Sequence, residues 1–63
     1  MGFEVGQKYV SKNDPARIGS VVKLDDGDRR AWIEMRNPEG DLLDSAWVVY
    51  VQFIGAWTLL SNN

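Results

Sequence analysis

The sequence predicts an all-β fold: one small barrel domain, residues 1–63, of about five short antiparallel strands. Short runs rich in β-branched and aromatic residues alternate with clusters of glycine, proline, asparagine and aspartate. This pattern is typical of short strands joined by regular turns. In addition, no long stretch repeats its apolar residues with the 3.6-residue period of a helix. An apolar fraction of 44% argues against a disordered chain.

Composition limits how such a small domain is held together. A chain of this size buries only about 60% of the surface that its unfolded form exposes. The sequence has no cysteine and no histidine, which excludes disulfides and the thiolate and imidazole ligands of structural zinc. An unusually good core or self-association remains as a source of stability. The lack of cysteine also fits a cytoplasmic location without requiring one.

The first four strands follow from short local patterns. They are expected at Lys8–Ser11, Ile18–Leu24, Arg30–Arg36 and Leu42–Val49. The second and third are joined by DDGD, in which Asp-Gly tolerates the positive φ angles of a tight hairpin, and the third and fourth by NPEGD.

Side-chain alternation assigns the faces of these strands. In the second strand it places Gly19, Val21 and Lys23 on one face. In the third strand it directs one set inward (Ala31, Ile33, Met35) and the other outward (Arg30, Trp32, Glu34, Arg36).

The last part of the chain, SAWVVYVQFIGAWTLL, carries no charge. Its spacing predicts a single helical or 3₁₀ turn before the last strand, which directs four residues inward: Tyr50, Phe53, Ile54 and Trp57. A closing strand is then expected at Ala56–Leu60, with Trp57 and Leu59 packed inward. The apolar stretch of 15 residues from position 46 to position 60 is shorter than the roughly 20 that span a bilayer. We therefore expect no membrane segment.

This order of elements describes an SH3-like barrel, and the sequence resembles a group of short bacteriophage and actinobacterial proteins. The likeness lies in VGQKYVSKNDP, VVKLDD, AWIEM and FIGAWTLL, and in a closing aromatic–x3–aromatic–x–Leu pattern matched by Phe53, Trp57 and Leu59. The resemblance implies a small SH3-like barrel, encoded by a phage and without assigned chemistry. It implies no catalytic residues.

A second resemblance is to the plasmid-type dihydrofolate reductases, which are tiny SH3-like barrels that work as tetramers. Their VQIY strand lines a shared central pore, and this chain has YVQF at Tyr50–Phe53. Here, however, the motif falls at the helical turn after the fourth strand, and the tyrosine that follows glutamine is missing. This alternative implies an oligomeric enzyme that binds a nicotinamide cofactor.

The residues themselves favour neither catalysis nor a cofactor. Nucleophilic catalysis lacks a cysteine and a histidine base, and no glycine-rich phosphate loop precedes a helix. The acidic turn of Asp25, Asp26 and Asp28 offers oxygen ligands for Ca²⁺ or Mg²⁺. It lacks the spacing of an EF-hand, so we expect a solvated hairpin turn. We predict no enzyme, no metal site and no cofactor.

Candidate binding residues lie on the outer face of the third and fourth strands. We predict that Trp32, Trp47, Arg30 and Arg36 bind a partner, because tryptophan and arginine are over-represented in binding hot spots. If the two strands pair, the two tryptophans are neighbours. Three alternatives remain open: a loop or the N-terminal segment covers Trp32, a cation–π contact with either arginine is its only role, or a register shift of one residue swaps the faces.

The resulting hypothesis is a non-enzymatic protein of the cytoplasm, or of the host cytoplasm if a phage encodes it. Its partner is a host protein, a second copy or both. Binding of nucleic acid is the alternative, because four basic residues belong to one hairpin or its ends: Lys23, Arg29, Arg30 and Arg36. The net charge of −2 argues against that alternative and against an anionic membrane surface.

Overall fold

A computed structural model describes residues 2–61 and shows an all-β fold. The strands are β1 (Lys8–Ser11), β2 (Ile18–Asp25), β3 (Arg30–Arg36), β4 (Leu42–Val49) and β5 (Trp57–Ser61), and one helical turn, α1, covers Tyr50–Phe53. All neighbouring strands pair antiparallel in a single sheet of order β4-β3-β2-β1-β5. The predicted fold class is thus confirmed. Within the described residues the sheet is not closed, since β4 and β5 are its two edges, but it is broadly consistent with an SH3-like barrel.

The predicted strand bounds are close to those observed. They match for β1, β3 and β4, whereas β2 is one residue longer and β5 lies one residue further along the chain. The predicted turn before the last strand is present, although it starts as an α-helix, in which Ile54 donates its N–H to the Tyr50 carbonyl at 3.0 Å. It then tightens, because Ala56 donates to the Phe53 carbonyl three residues back at 3.0 Å.

The two hairpin turns have the backbone geometry that their residues favour. Asp26 and Gly27 have φ angles of 53° and 69°, as expected of Asp-Gly in a primed turn. In the next turn Gly40 has a φ of 91°, and the Asn37 side-chain oxygen accepts the Asp41 N–H at 2.9 Å. These turns bring β2, β3 and β4 side by side.

A bulge in β2 overturns one predicted face. Val21 pairs with Ile33, but Lys23 pairs with Trp32, so that Val22 is an extra residue on the β2 side. Beyond the bulge the alternation of β2 is inverted. The prediction that Lys23 shares a face with Gly19 and Val21 is therefore wrong, because Lys23 lies on the outer face.

The core lies on the inner face of the bent sheet. Its buried apolar residues are Phe3, Tyr9, Val21, Ala31, Ile33, Met35 and Phe53. The three β3 members are those that alternation placed inward. Phe3 lies before the first strand, and no pattern in the sequence pointed to it. Its ring meets those of Tyr50 and Phe53 edge to face, with centroids at 5.1 Å and 5.5 Å.

The closing strand packs through one residue rather than two. Trp57 stacks on Phe53 with centroids 5.0 Å apart and also faces Gly19. Leu59 and Ile54 were predicted to pack inward, yet they are 45% and 39% exposed. Both line an open cavity of about 440 Å³ between β1, α1 and β5, since no further element covers the sheet there within residues 2–61.

Candidate functional site

A cross-strand tryptophan pair dominates the outer face of the sheet. Trp32 of β3 and Trp47 of β4 pair directly, and their ring centroids lie 5.6 Å apart at an interplanar angle of 71°. Tyr50 donates its N–H to the Arg29 carbonyl at 2.7 Å. The alternation of antiparallel hydrogen bonds then makes Trp32–Trp47 a non-hydrogen-bonded pair, in which side chains approach most closely. The expectation that the two tryptophans are neighbours is confirmed.

Two cations lie against this pair. The Lys23 ammonium is 5.8 Å from the Trp32 ring centroid and 5.7 Å from that of Trp47, and the Arg30 guanidinium is 5.5 Å from Trp47. These distances are within the range of cation–π attraction, about 6 Å. The cation beside Trp32 is therefore Lys23 and not an arginine. We call Lys23, Arg30, Trp32 and Trp47 the tryptophan cluster.

Exposure differs between the two rings. Trp47 is 40% exposed, whereas Trp32 is partly buried between β2 and β4. Phe3, at the start of the chain, is buried in the core and does not lie on the outer face. The alternative in which the N-terminal segment covers Trp32 is therefore wrong for the residues that the structure describes.

Arg36 shares the outer face of β3 but lies away from the tryptophan cluster. Four residues along a strand separate it from Trp32, a distance of about 13 Å. Its guanidinium donates to the Gly40 carbonyl at 2.8 Å and to the Glu34 carboxylate at 3.1 Å. Glu34 and Arg36 thus form an ion pair on this face. Of the four candidate residues, the structure brings three together and leaves Arg36 apart.

The acidic turn provides partners for arginines. Arg30 and Arg29 form ion pairs with Asp25 and Asp26, each at 3.2 Å. The four side chains are 43–73% exposed, so each pair contributes only about 0.2–1 kcal/mol. Asp28 accepts the Phe3 N–H at its main-chain carbonyl at 2.7 Å. Within residues 2–61, no three histidine, cysteine or acidic residues come together as metal ligands.

An apolar groove adjoins the cluster at the open edge of the sheet. It has a volume of about 280 Å³ and lies between β4 and the segment from α1 to β5. Trp47, Val49, Gln52 and Trp57 contribute to its walls. Four of the exposed large apolar residues belong to β4 itself: Leu42, Leu43, Trp47 and Val49. Two of these side chains, Trp47 and Val49, also line the groove.

A buried polar group fixes the N-terminal segment and was not predicted. The Gln7 side-chain oxygen accepts the Tyr9 hydroxyl at 3.1 Å and the Glu4 N–H at 2.8 Å. Burial is the main cause that raises the pKa of Tyr9 above its ordinary value of 10.0, and the nearby Tyr50 and Glu4 raise it further. The hydroxyl therefore stays protonated at neutral pH and donates. This arrangement holds the chain that leads from Phe3 into β1.

Comparison of the chain with protein-family models, curated proteins and solved structures returned no match. The likeness to small phage and actinobacterial barrels stays a prediction. Among residues 2–61 the only helix is α1, and its four residues are too few to cross a membrane.

Proposed function

We propose that this protein is a non-enzymatic, cytoplasmic interaction module that binds another protein through the tryptophan cluster. The observation that carries the proposal is the Trp32–Trp47 pair, with its rings 5.6 Å apart and Trp47 40% exposed on an outer face. A paired and partly buried tryptophan is rigid, and it presents a large contact area at little cost in conformational entropy. Such residues supply most of the affinity at many interfaces.

The two cations give this surface its chemical preference. Lys23 and Arg30 are held against the rings, so that their charges are placed before a partner arrives. An aromatic or apolar side chain of a partner would cover Trp47, and a carboxylate beside it would meet Lys23. We therefore expect a partner surface that combines an apolar anchor with an acidic residue.

Capture from an actinobacterial lysate by immobilised protein tests the proposal. Wild type is compared with Trp32→Ala, Arg30→Ala and Arg29→Ala. Arg29 is the matched control, because it too forms a 3.2 Å ion pair within the acidic turn, whereas only Arg30 has a cation–π contact with Trp47. We expect Arg29→Ala to capture the same proteins as wild type and the other two variants to lose them. If Trp32→Ala retains every captured protein, the proposed surface is wrong.

Binding of single-stranded nucleic acid is a second candidate, favoured by the position of Lys23 within 6 Å of both tryptophan rings. Bases stack on aromatic rings, and lysine binds the phosphates. Two features rank it below protein binding: the net charge is −2, and Asp25 already neutralises Arg30. Titration with a labelled oligonucleotide at two salt concentrations decides, since phosphate contacts are strongest at low salt. No binding at low salt excludes this function.

A further inference from the structure

We infer that β4 pairs antiparallel with β4 of a second copy about a two-fold axis at Trp47, which joins two five-stranded sheets into one. This inference goes beyond the proposed function, because it concerns the edge of the sheet and not its outer face. In the dimer the two outer faces become continuous. The two tryptophan clusters then meet as a single surface twice as large.

The backbone of β4 is ready for such pairing. Because Tyr50 donates to the Arg29 carbonyl, the antiparallel alternation points the main-chain groups of Ala46 and Val48 toward β3. Those of Ser45, Trp47 and Val49 point away from β3. Ser45 supports this assignment, since its N–H is accepted by the neighbouring Asp44 carboxylate at 2.8 Å and not by β3. Within residues 2–61, no strand pairs with β4 on that side.

The side chains of β4 provide little protection against pairing. Exposed edge strands are commonly short, twisted or charged, which prevents association between sheets. β4 has eight residues, its only charged residue is Asp44, and four of its large apolar side chains are exposed. A second copy offers the same uncharged edge, so that a two-fold axis sets apolar residues against apolar residues.

The main-chain hydrogen bonds and the position of Asp44 favour a two-fold axis at Trp47. With the axis at Trp47, this residue pairs with its own copy and Ser45 pairs with Val49. The outward-pointing groups then form about six main-chain hydrogen bonds, for which the Ser45 N–H must leave the Asp44 carboxylate. In this dimer the outer-face side chains of both copies lie on the same side of the joined sheet, since positions two apart along a strand share a face. Asp44, which is exposed in the single copy, falls at the end of the paired segment, opposite the start of α1. An axis at Ala46 would instead place Asp44 opposite Val48 at the apolar groove, where an unpaired carboxylate is costly.

Sedimentation velocity from micromolar to millimolar concentration tests the dimer. Wild type is expected to show a concentration-dependent dimer. Trp47→Glu is expected to abolish it, because two carboxylates would face each other on the axis. Trp32→Glu is the matched control: it removes the same tryptophan contact but lies one strand away from the edge, and we expect its dimer to persist. Circular dichroism establishes that both variants are folded.

Asp44→Ala is expected to strengthen the dimer, whereas Trp47→Glu is expected to abolish it. The substitution frees the Ser45 N–H and removes the only charge of β4, so the dissociation constant of the dimer is expected to fall. An unchanged or higher constant contradicts the role given to Asp44 at this edge.

Disulfide cross-linking tests the register, because the chain has no cysteine of its own. A mixture of Ser45→Cys and Val49→Cys proteins is expected to form a mixed disulfide, since the axis at Trp47 places these positions opposite each other. A mixture of Leu43→Cys and Val49→Cys proteins would cross-link instead if the axis lay at Ala46. Cross-linking of the second mixture alone, or of neither, overturns the inference.

A monomeric wild type at every concentration also overturns the inference. If proteins are still captured in a way that depends on Trp32, the proposed function stands without the dimer. Conversely, a dimer whose Trp32→Ala variant captures the same proteins as wild type supports the edge pairing and removes the proposed function. The two conclusions therefore fail separately.

Discussion

Ile33 and Trp32 are neighbours in β3, yet their surroundings are built in different ways. Ile33 has no exposed surface and lies in a core formed by the N-terminal segment, four strand residues and α1. Trp32 lies on the opposite face, where its contacts are Trp47 and Lys23 from the two flanking strands. The inner face depends on parts of the chain that are distant in sequence. The outer face depends only on the pairing of β2, β3 and β4.

Substitutions on the two faces are therefore expected to have different effects. Changes on the inner face remove contacts among several elements, and we expect them to lower the free energy of unfolding of the whole domain. Changes on the outer face remove one or two contacts, and we expect them to alter binding more than stability.

Phe3→Ala is expected to lower the free energy of unfolding by about 3–5 kcal/mol, because a fully buried ring leaves a cavity. Urea denaturation followed by circular dichroism measures the loss. Val5→Ala is the control in the same segment; Val5 is 58% exposed, and we expect a change within about 0.5 kcal/mol. Equal effects of the two substitutions would show that the N-terminal segment does not complete the core.

Gly19→Ala tests the packing of Trp57 against the sheet. A Cβ atom at this position would lie 3.0 Å from the Ile33 side chain and 3.3 Å from the Trp57 ring. Overpacking costs about 1–3 kcal/mol, which exceeds the gain of about 0.5–1 kcal/mol from replacing a glycine within a strand. We therefore expect a lower midpoint of thermal unfolding. Ser20→Ala, which alters the outer face one residue later, should change it little; a rise for Gly19→Ala would contradict the packing described.

A double-mutant cycle measures the outer tryptophan pair. We expect a coupling of about 0.5–1.5 kcal/mol between Trp32→Ala and Trp47→Ala, as for other edge-to-face aromatic pairs. The same cycle with Trp57→Ala in place of Trp47→Ala is the control. Trp57 lies against the inner face, so its coupling to Trp32 is expected to be close to zero. Similar couplings in both cycles would remove the distinction between the faces.

Arg30→Ala and Arg29→Ala separate the cation–π contact from the ion pairs. Each arginine has a 3.2 Å ion pair with an exposed aspartate. Only Arg30 also lies over Trp47, a contact that contributes about 0.5–1 kcal/mol at an exposed site. Urea denaturation is expected to show the greater loss for Arg30→Ala by about that amount. If the two losses are equal, the guanidinium does not interact with the ring.

Local patterns in the sequence were sufficient to predict most of the residues on the outer face. Alternation along β3 separated Ile33 from Trp32, and the two turns aligned β4 so that Trp47 lies opposite Trp32. The same reasoning failed for Lys23, because the bulge at Val22 inverts the alternation of β2. A bulge depends on how β2 pairs with its neighbours on both sides, and a pattern within one strand does not contain that information.

The all-β class, the positions of the strands and turns, and the two faces of β3 could all be predicted from local sequence patterns. These features arise from interactions among residues close along the chain, so periodicity and turn residues reveal them. Three features could not be predicted in this way: Phe3 completes the core, Lys23 lies against both tryptophans, and β4 keeps an open edge within residues 2–61. Each of these depends on segments that are far apart in the chain and meet only when the sheet bends around its core.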